Sequence, residues 1–250
     1  MDPLVSTRVS LALSHAAPSG ESSAVIVLQG RSGFFLDLRI KHAGSAVPGR
    51  LGPLEFRGVD QRELEVDWAT AGWKEFLPPL KGEDRPRARF TPIIDSRSPS
   101  FGRSSASSST PPPADSSPDE GSFETLPNGD VLEKGEMLNP DSGRVEPYEE
   151  VWRRLPLTWD GSEAKITILE RDDEDGRAFL GRVGDWEVGM VDGKSGFGVV
   201  WRERRRGEWE DVHRNEAGVG LPSLEKELLT AEKGGLVDLG GRTWKVIEKS

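Results

Sequence analysis

The chain has 250 residues, no Cys, eight Trp against a single Tyr, and 33 basic against 43 acidic side chains, for a net charge of −10. The missing thiols exclude a disulfide scaffold, a Cys-ligated zinc site and any Cys nucleophile or redox pair. The acidic excess argues against nucleic acid as a partner, because such binding rests on neutralising phosphates with Lys and Arg, and the basic cluster Arg202, Arg204, Arg205 and Arg206 is too local to reverse it.

The first twenty residues carry Asp2 where a secretory signal would be basic, and no apolar run approaches the roughly 20 residues of a membrane span. A cytoplasmic location, extending to the nucleus, is expected. From there the dominant period is two. Val9 to Leu13 and Ala24 to Gln29 read as strands, and in Phe34 to Ile40 the even positions are apolar while Asp37 and Arg39 share the other face. Glu63 to Trp68 alternates as strictly, and Arg87 to Asp95 continues the pattern. Then the composition changes: from Ser96 to Ser122 there are eleven Ser and five Pro in 27 residues. Such a stretch cannot bury enough apolar surface to offset the entropy of ordering it, so a disordered linker is expected over 97–122. It divides the chain into an N-terminal barrel domain, 1–96, and a C-terminal barrel domain, 123–250.

Beyond the linker, Asn128-Gly129 predicts a two-residue type I′ hairpin, and Tyr148 to Arg154 reads as a strand whose one face carries Glu150, Trp152 and Arg154. Glu133 falls within hairpin register of that strand. Further strands are predicted over 164–170, 177–183, 186–191, 197–202, 209–214 and 242–248, separated by turns such as Asp175-Gly176 and Asp192-Gly193. One helix is expected, capped by Ser223, running from Leu224 to Ala231 and ended by Gly234-Gly235. Many short strands joined by tight turns indicate sandwiches or up-and-down barrels, and barrels remove exposed edges.

No catalytic signature is complete. Gly193-Lys194-Ser195 lacks the first glycine of a phosphate loop, where Val188 stands instead. The acidic run Asp172 to Asp175 fails as a calcium loop because Arg171 and Arg182 occupy ligand positions. His15, His42 and His213 lie in different segments and form no local metal pattern. No cofactor and no metal are therefore expected. The tryptophans on predicted strands either fill barrel interiors or line an apolar pocket. The candidate ligand-binding residues are Asp37, Arg39, Trp68, Trp73, Glu133, Tyr148, Glu150, Trp152, Arg153, Trp186 and Trp201. In the linker, Ser98, Thr110 and Ser117 precede Pro, and Ser116 and Ser117 each have an acid three places on, so Ser98, Thr110, Ser116 and Ser117 are candidate phosphorylation sites.

Three blocks resemble a known family: Gly33 to Arg39, Trp68 to Gly72, and above all Asn128-Gly129-Asp130-Val131-Leu132-Glu133-Lys134-Gly135 running through to Pro147-Tyr148-Glu149-Glu150-Val151-Trp152-Arg153. Together they resemble the fungal Hri protein family, named for a yeast protein that interacts with a casein kinase I. The resemblance implies two tandem lipocalin-like antiparallel barrels, a location in cytoplasm and nucleus, and a kinase-type protein partner. It supplies no catalytic residues. The expected function is a non-catalytic barrel that binds an apolar small molecule, a protein partner, or both. The alternative is a cofactor-free isomerase or cyclase acting on a hydrophobic metabolite in a barrel pocket, an analogy of fold only.

Overall fold

The computed structural model describes residues 1–14, 19–20, 23–42, 64–97, 119–139, 142–158, 161–224 and 231–250. The first set of strands is β1 (Leu4–Leu13), β2 (Ser19–Gly20), β3 (Ser23–Gln29), β4 (Phe34–His42), β5 (Leu64–Leu77), β6 (Arg87–Asp95), β7 (Asp119–Thr125), β8 (Val131–Asn139) and β9 (Arg144–Arg154). The second is β10 (Ile166–Asp173), β11 (Gly176–Val183), β12 (Trp186–Gly193), β13 (Gly196–Arg205), β14 (Glu208–Arg214), β15 (Leu236–Leu239) and β16 (Arg242–Lys249). The alternating segments became strands because each places one apolar row against a packed surface, as in β4, where Phe34, Leu36, Leu38 and Ile40 all lie on one side and are buried.

β1 and β3 through β9 form a closed, eight-stranded antiparallel barrel. Each strand pairs with its neighbour, and β9 returns to β1 with Thr7 opposite Arg153 and Leu13 opposite Tyr148. Closure removes the free edges that an open sheet would expose. The short β2 extends one end of β1.

β10 to β16 form a separate seven-stranded sheet in the order β14-β13-β12-β11-β10-β16-β15. Among the described residues no ladder joins β14 to β15, so two closed barrels in tandem are not what the described strands form. The outer face of β3 and β4 packs against this sheet. Phe34 meets Phe179 with ring centres 4.9 Å apart, and Leu36 lies so close to Gly181 that a Cβ there would stand 2.6 Å from Leu36 Cδ1. Trp186 and Trp201 belong to the same buried cluster. The opposite face of the second sheet is covered by Leu221, Leu224, Val237 and Leu239 around Trp244.

Several sequence expectations change. β7 begins at Asp119, inside the expected linker, and β7, β8 and β9 belong to the first sheet, so the boundary between residues 122 and 123 does not separate the two sheets. The rest of that stretch, 98–118, lies outside the described residues, as do the candidate phosphorylation sites Ser98, Thr110, Ser116 and Ser117. The expected helix falls outside them over 225–230; the helical turn that is described is a 3₁₀ turn at Glu216–Gly218, capped by Asn215. At Asn128-Gly129 only Gly129 has positive φ (86°), with its N–H donating to Leu126, so a five-residue loop replaces the two-residue type I′ turn. Among the described residues no helix is long and apolar enough to cross a membrane.

Candidate functional site

The period of two that builds the wall also decides what points into the barrel. On β4 the inward residues are Phe35, Asp37 and Arg39; on β5 they include Trp68, Thr70, Lys74 and Phe76; on β9 they are Tyr148, Glu150, Trp152 and Arg154. With Glu133 and Met137 from β8, and Asp119 and Phe123 from β7, they enclose a cavity of about 430 Å³. That volume lies in the range of small-molecule sites.

One end of the cavity holds buried charge. Arg39 donates from Nη2 to Asp37 at 2.8 Å and from Nη1 to Glu150 at 3.3 Å, while Arg8 Nη1 reaches the same Glu150 oxygen at 2.5 Å. The Arg39 guanidinium also stacks 4.4 Å above the Trp68 ring, and Trp68 Nε1 is held by Asp95 at 2.8 Å. Burial opposes the Arg39 charge, but Asp37 and Glu150 outweigh it, so its proton is bound more firmly than usual.

Beside this group lies a second set that has no arginine. Tyr148 donates to Glu133 Oε1 at 3.0 Å. Space for the pair comes from two glycines that face each other across β7 and β8: a Cβ at Gly121 would stand 2.6 Å from Glu133, and one at Gly135 would stand 2.7 Å from the Tyr148 hydroxyl. Burial and the nearby Glu150 charge push the Glu133 carboxyl up to about 8, against the opposing pull of Lys74. Asp119 is raised to about 6, chiefly by burial. Tyr148 is also raised by burial and by the surrounding carboxylates. This wall therefore offers protonated oxygen at neutral pH. Two buried polar atoms on the lining residues, Trp152 Nε1 and Asp119 Oδ1, have no hydrogen-bond partner among the described residues.

Of the candidates from sequence, Asp37, Arg39, Trp68, Glu133, Tyr148, Glu150 and Trp152 meet around this one cavity. Four do not. Trp73 lies on the opposite face of β5, half exposed and edge-on to Phe34, and Arg153 points outward to pair with Asp130 at 2.8 Å. Trp186 and Trp201 are buried between the sheets. Sequence reasoning missed Lys74, Asp119 and Arg8. Lys74 could have been found by extending the alternation of β5 beyond Trp68 through Thr70, whereas nothing in its Ser- and Pro-rich neighbourhood marks Asp119. The basic cluster of β13 is internally paired, Arg202 with Glu187 and Asp211, Arg204 with Asp185 and Arg205 with Glu203.

The model of the family described as Protein HRI1 matches residues 4–248. The chain belongs to the HRI1 family. A crystal structure of an uncharacterized Saccharomyces cerevisiae protein, YLR301w, superposes with a TM-score of 0.71 over 99% of both chains at 17% identity, a likeness of fold. No curated protein matches the chain. For this HRI1 member the interior chemistry of the barrel is thus the ground on which a function can be argued.

Proposed function

We propose that this barrel encloses a small, predominantly apolar molecule that carries a polar group. The observation behind the reading is the cavity of about 430 Å³ inside a closed eight-stranded barrel. A barrel of that strand number either fills with side chains or holds one small ligand. Phe35, Phe90, Phe123, Val27, Val131 and Met137 supply apolar wall, and the unpartnered Trp152 Nε1 and Asp119 Oδ1 supply the few polar contacts that orient a guest. Neighbour-to-neighbour closure is also what a lipocalin-like barrel would have.

Titration with 11-(dansylamino)undecanoic acid tests it, because energy transfer from Trp68 and Trp152 reports occupancy. Saturable binding with one site per chain, weakened by Trp152→Phe, is expected. Binding that does not saturate, or is indifferent to Trp152, would overturn the reading.

One observation favours a second reading, a cofactor-free isomerase or cyclase: Glu133 keeps its proton near neutral pH beside Tyr148, as a general acid must. A binder returns its guest unchanged, whereas the enzyme returns an isomer, and chromatography of the extracted guest separates the two. A kinase partner, as the family resemblance implies, remains a separate proposal, tested by pull-down with a casein-kinase-I-type kinase.

A further inference from the structure

Among the described residues Lys74 is a half-buried cation of the cavity wall that the charge pairing leaves over; Arg154, which also lines the cavity, is exposed. Its partner across the β5–β6 ladder is Phe90, and its Nζ stands 4.4 Å from the centre of the Phe123 ring, 5.1 Å from Phe90 and 5.8 Å from Phe76. The ring faces attract an ammonium weakly but offer no lone pair to accept its hydrogens. Among the described residues no hydrogen bond or ion pair reaches Nζ; Arg8 and Arg39 already occupy Glu150 and Asp37, and Glu133 acts on Lys74 only through space. A lysine drawn this far out of water for structural reasons alone would ordinarily be paired with a carboxylate.

An amine so placed has lost part of its hydration without gaining a paired counter-ion. Burial holds the Lys74 ammonium below the ordinary lysine range, against the pull of Glu133. An ammonium held below its ordinary range gives up its proton more readily, and a desolvated lysine in an apolar chamber is the setting in which such amines attack carbonyl carbon.

We propose that Lys74 captures an apolar aldehyde within the barrel as a reversible imine. The inference rests on the reading of the barrel as a container for apolar molecules and names the functional group of the guest. The Nζ lone pair forms a C–N bond to the carbonyl carbon while the C=O π pair moves to oxygen, which takes a proton from nitrogen to give a carbinolamine. The hydroxyl then leaves as water with a proton from the Glu133 carboxyl, the C=N bond forms, and the remaining ammonium-type proton returns to Glu133. The sum is aldehyde plus amine to imine plus water, with no oxidation or reduction, and hydrolysis reverses it.

The test is incubation of the full chain with decanal and sodium cyanoborohydride at pH 7, followed by peptide mapping, with the exposed Lys81 and Lys245 as internal controls. Alkylation of Lys74 is expected to outpace both controls by roughly tenfold or more. Excess decanol, which fills the cavity but has no carbonyl, slows labelling of Lys74 and not of Lys81. In a folded Lys74→Arg chain the fast labelling disappears. Equal labelling of Lys74 and Lys81, or labelling of Lys74 that decanol does not slow, overturns the inference. If Lys74→Arg fails to fold, the wild-type map alone decides. Failure of the container reading shows separately, as absence of saturable binding of the dansyl fatty acid; binding of that acid without labelling of Lys74 overturns the imine alone.

Discussion

Glu133 on β8 sits directly opposite Glu150 on β9 in the ladder of the barrel wall, both buried and both facing the cavity. Like charges at directly opposed positions repel. The two carboxylates are resolved asymmetrically: Glu150 takes Arg8 and Arg39, and Glu133 takes a proton and the hydroxyl of Tyr148. From this asymmetry follows the alkaline behaviour of the protein.

Because Glu133 is raised from 4.5 to about 8 in the folded chain, the native state holds a proton that the unfolded state has released. Its contribution is fully present below pH 4.5 and is lost as pH rises through 8. Asp119, raised from 3.8 to about 6, adds a similar loss as pH rises through 6. Urea midpoints measured from pH 5 to 9 are expected to fall across this window. Glu133→Gln, which imitates the protonated form, flattens the fall and at pH 8.5 is more stable than the wild type by about 1–3 kcal/mol.

On the acid side the group to watch is His213. It is buried on β14, and burial lowers it from 6.5 to about 4. The stability tied to its neutral form is whole above pH 6.5 and is lost as pH falls through 4, since the unfolded chain binds the proton first. His213→Gln is expected to reduce the slope of stability against pH between 6.5 and 4, by about 1–3 kcal/mol across the interval; an unchanged slope counts against it.

Arg39 holds the buried charges together. Arg39→Met removes the two-pronged contact to Asp37 and one of the two cations on Glu150, leaving Asp37 buried without its counter-charge. Guanidinium chloride unfolding is expected to show a loss of about 3–5 kcal/mol. Adding Asp37→Asn to the same chain recovers part of it, and the size of the recovery measures how much of the loss was the stranded carboxylate rather than lost packing.

Space inside the wall is as constrained as charge. At Gly135 an added methyl would meet the Tyr148 hydroxyl at 2.7 Å and the Glu120 carbonyl oxygen at 2.8 Å, and the second of these is backbone. Gly135→Ala is therefore expected to cost about 1–3 kcal/mol and to shift Tyr148 away from Glu133. Gly207→Ala, at a turn with nothing within 4 Å but with φ at 89°, is the control for backbone strain without crowding.

A carboxylate adds a polar tie to the apolar contact between the sheets. Glu248 on β16 accepts hydrogen bonds from the backbone N–H groups of Arg31 at 2.7 Å and Ser32 at 2.8 Å, in the turn between β3 and β4. Glu248→Ala leaves both donors to water and is expected to lower stability by about 2–4 kcal/mol, read as an earlier melt in calorimetry.

How far the sequence carried the structure can be seen strand by strand. Arg87 to Asp95 was legible to the residue, and the shared faces of Asp37 with Arg39 and of Glu150 with Trp152 led directly to the cavity. Trp73 and Arg153 face away from the cavity because each stands one position from an inward residue, and a one-residue change of parity reverses a side chain. Trp186 and Trp201 looked equally suited to a pocket, since an aromatic on a strand reads the same whether its face meets a ligand or another sheet. The role of the Ser- and Pro-rich stretch was less legible. Composition says that such a stretch buries little, but it cannot say whether it joins two folding units or, as with β6 and β7, two adjacent strands of the same wall.

The closure of β9 onto β1 also carries a kinetic consequence. Arg8 and Glu150, which meet across that seam, are 142 residues apart in the chain. During synthesis β1 is made well before β9 and waits with one edge unsatisfied until β9 has left the ribosome. Contacts of such long sequence separation slow folding, and an exposed strand edge invites foreign pairing. For this protein the vulnerable interval is that wait, and chaperone protection would matter most at the unclosed seam.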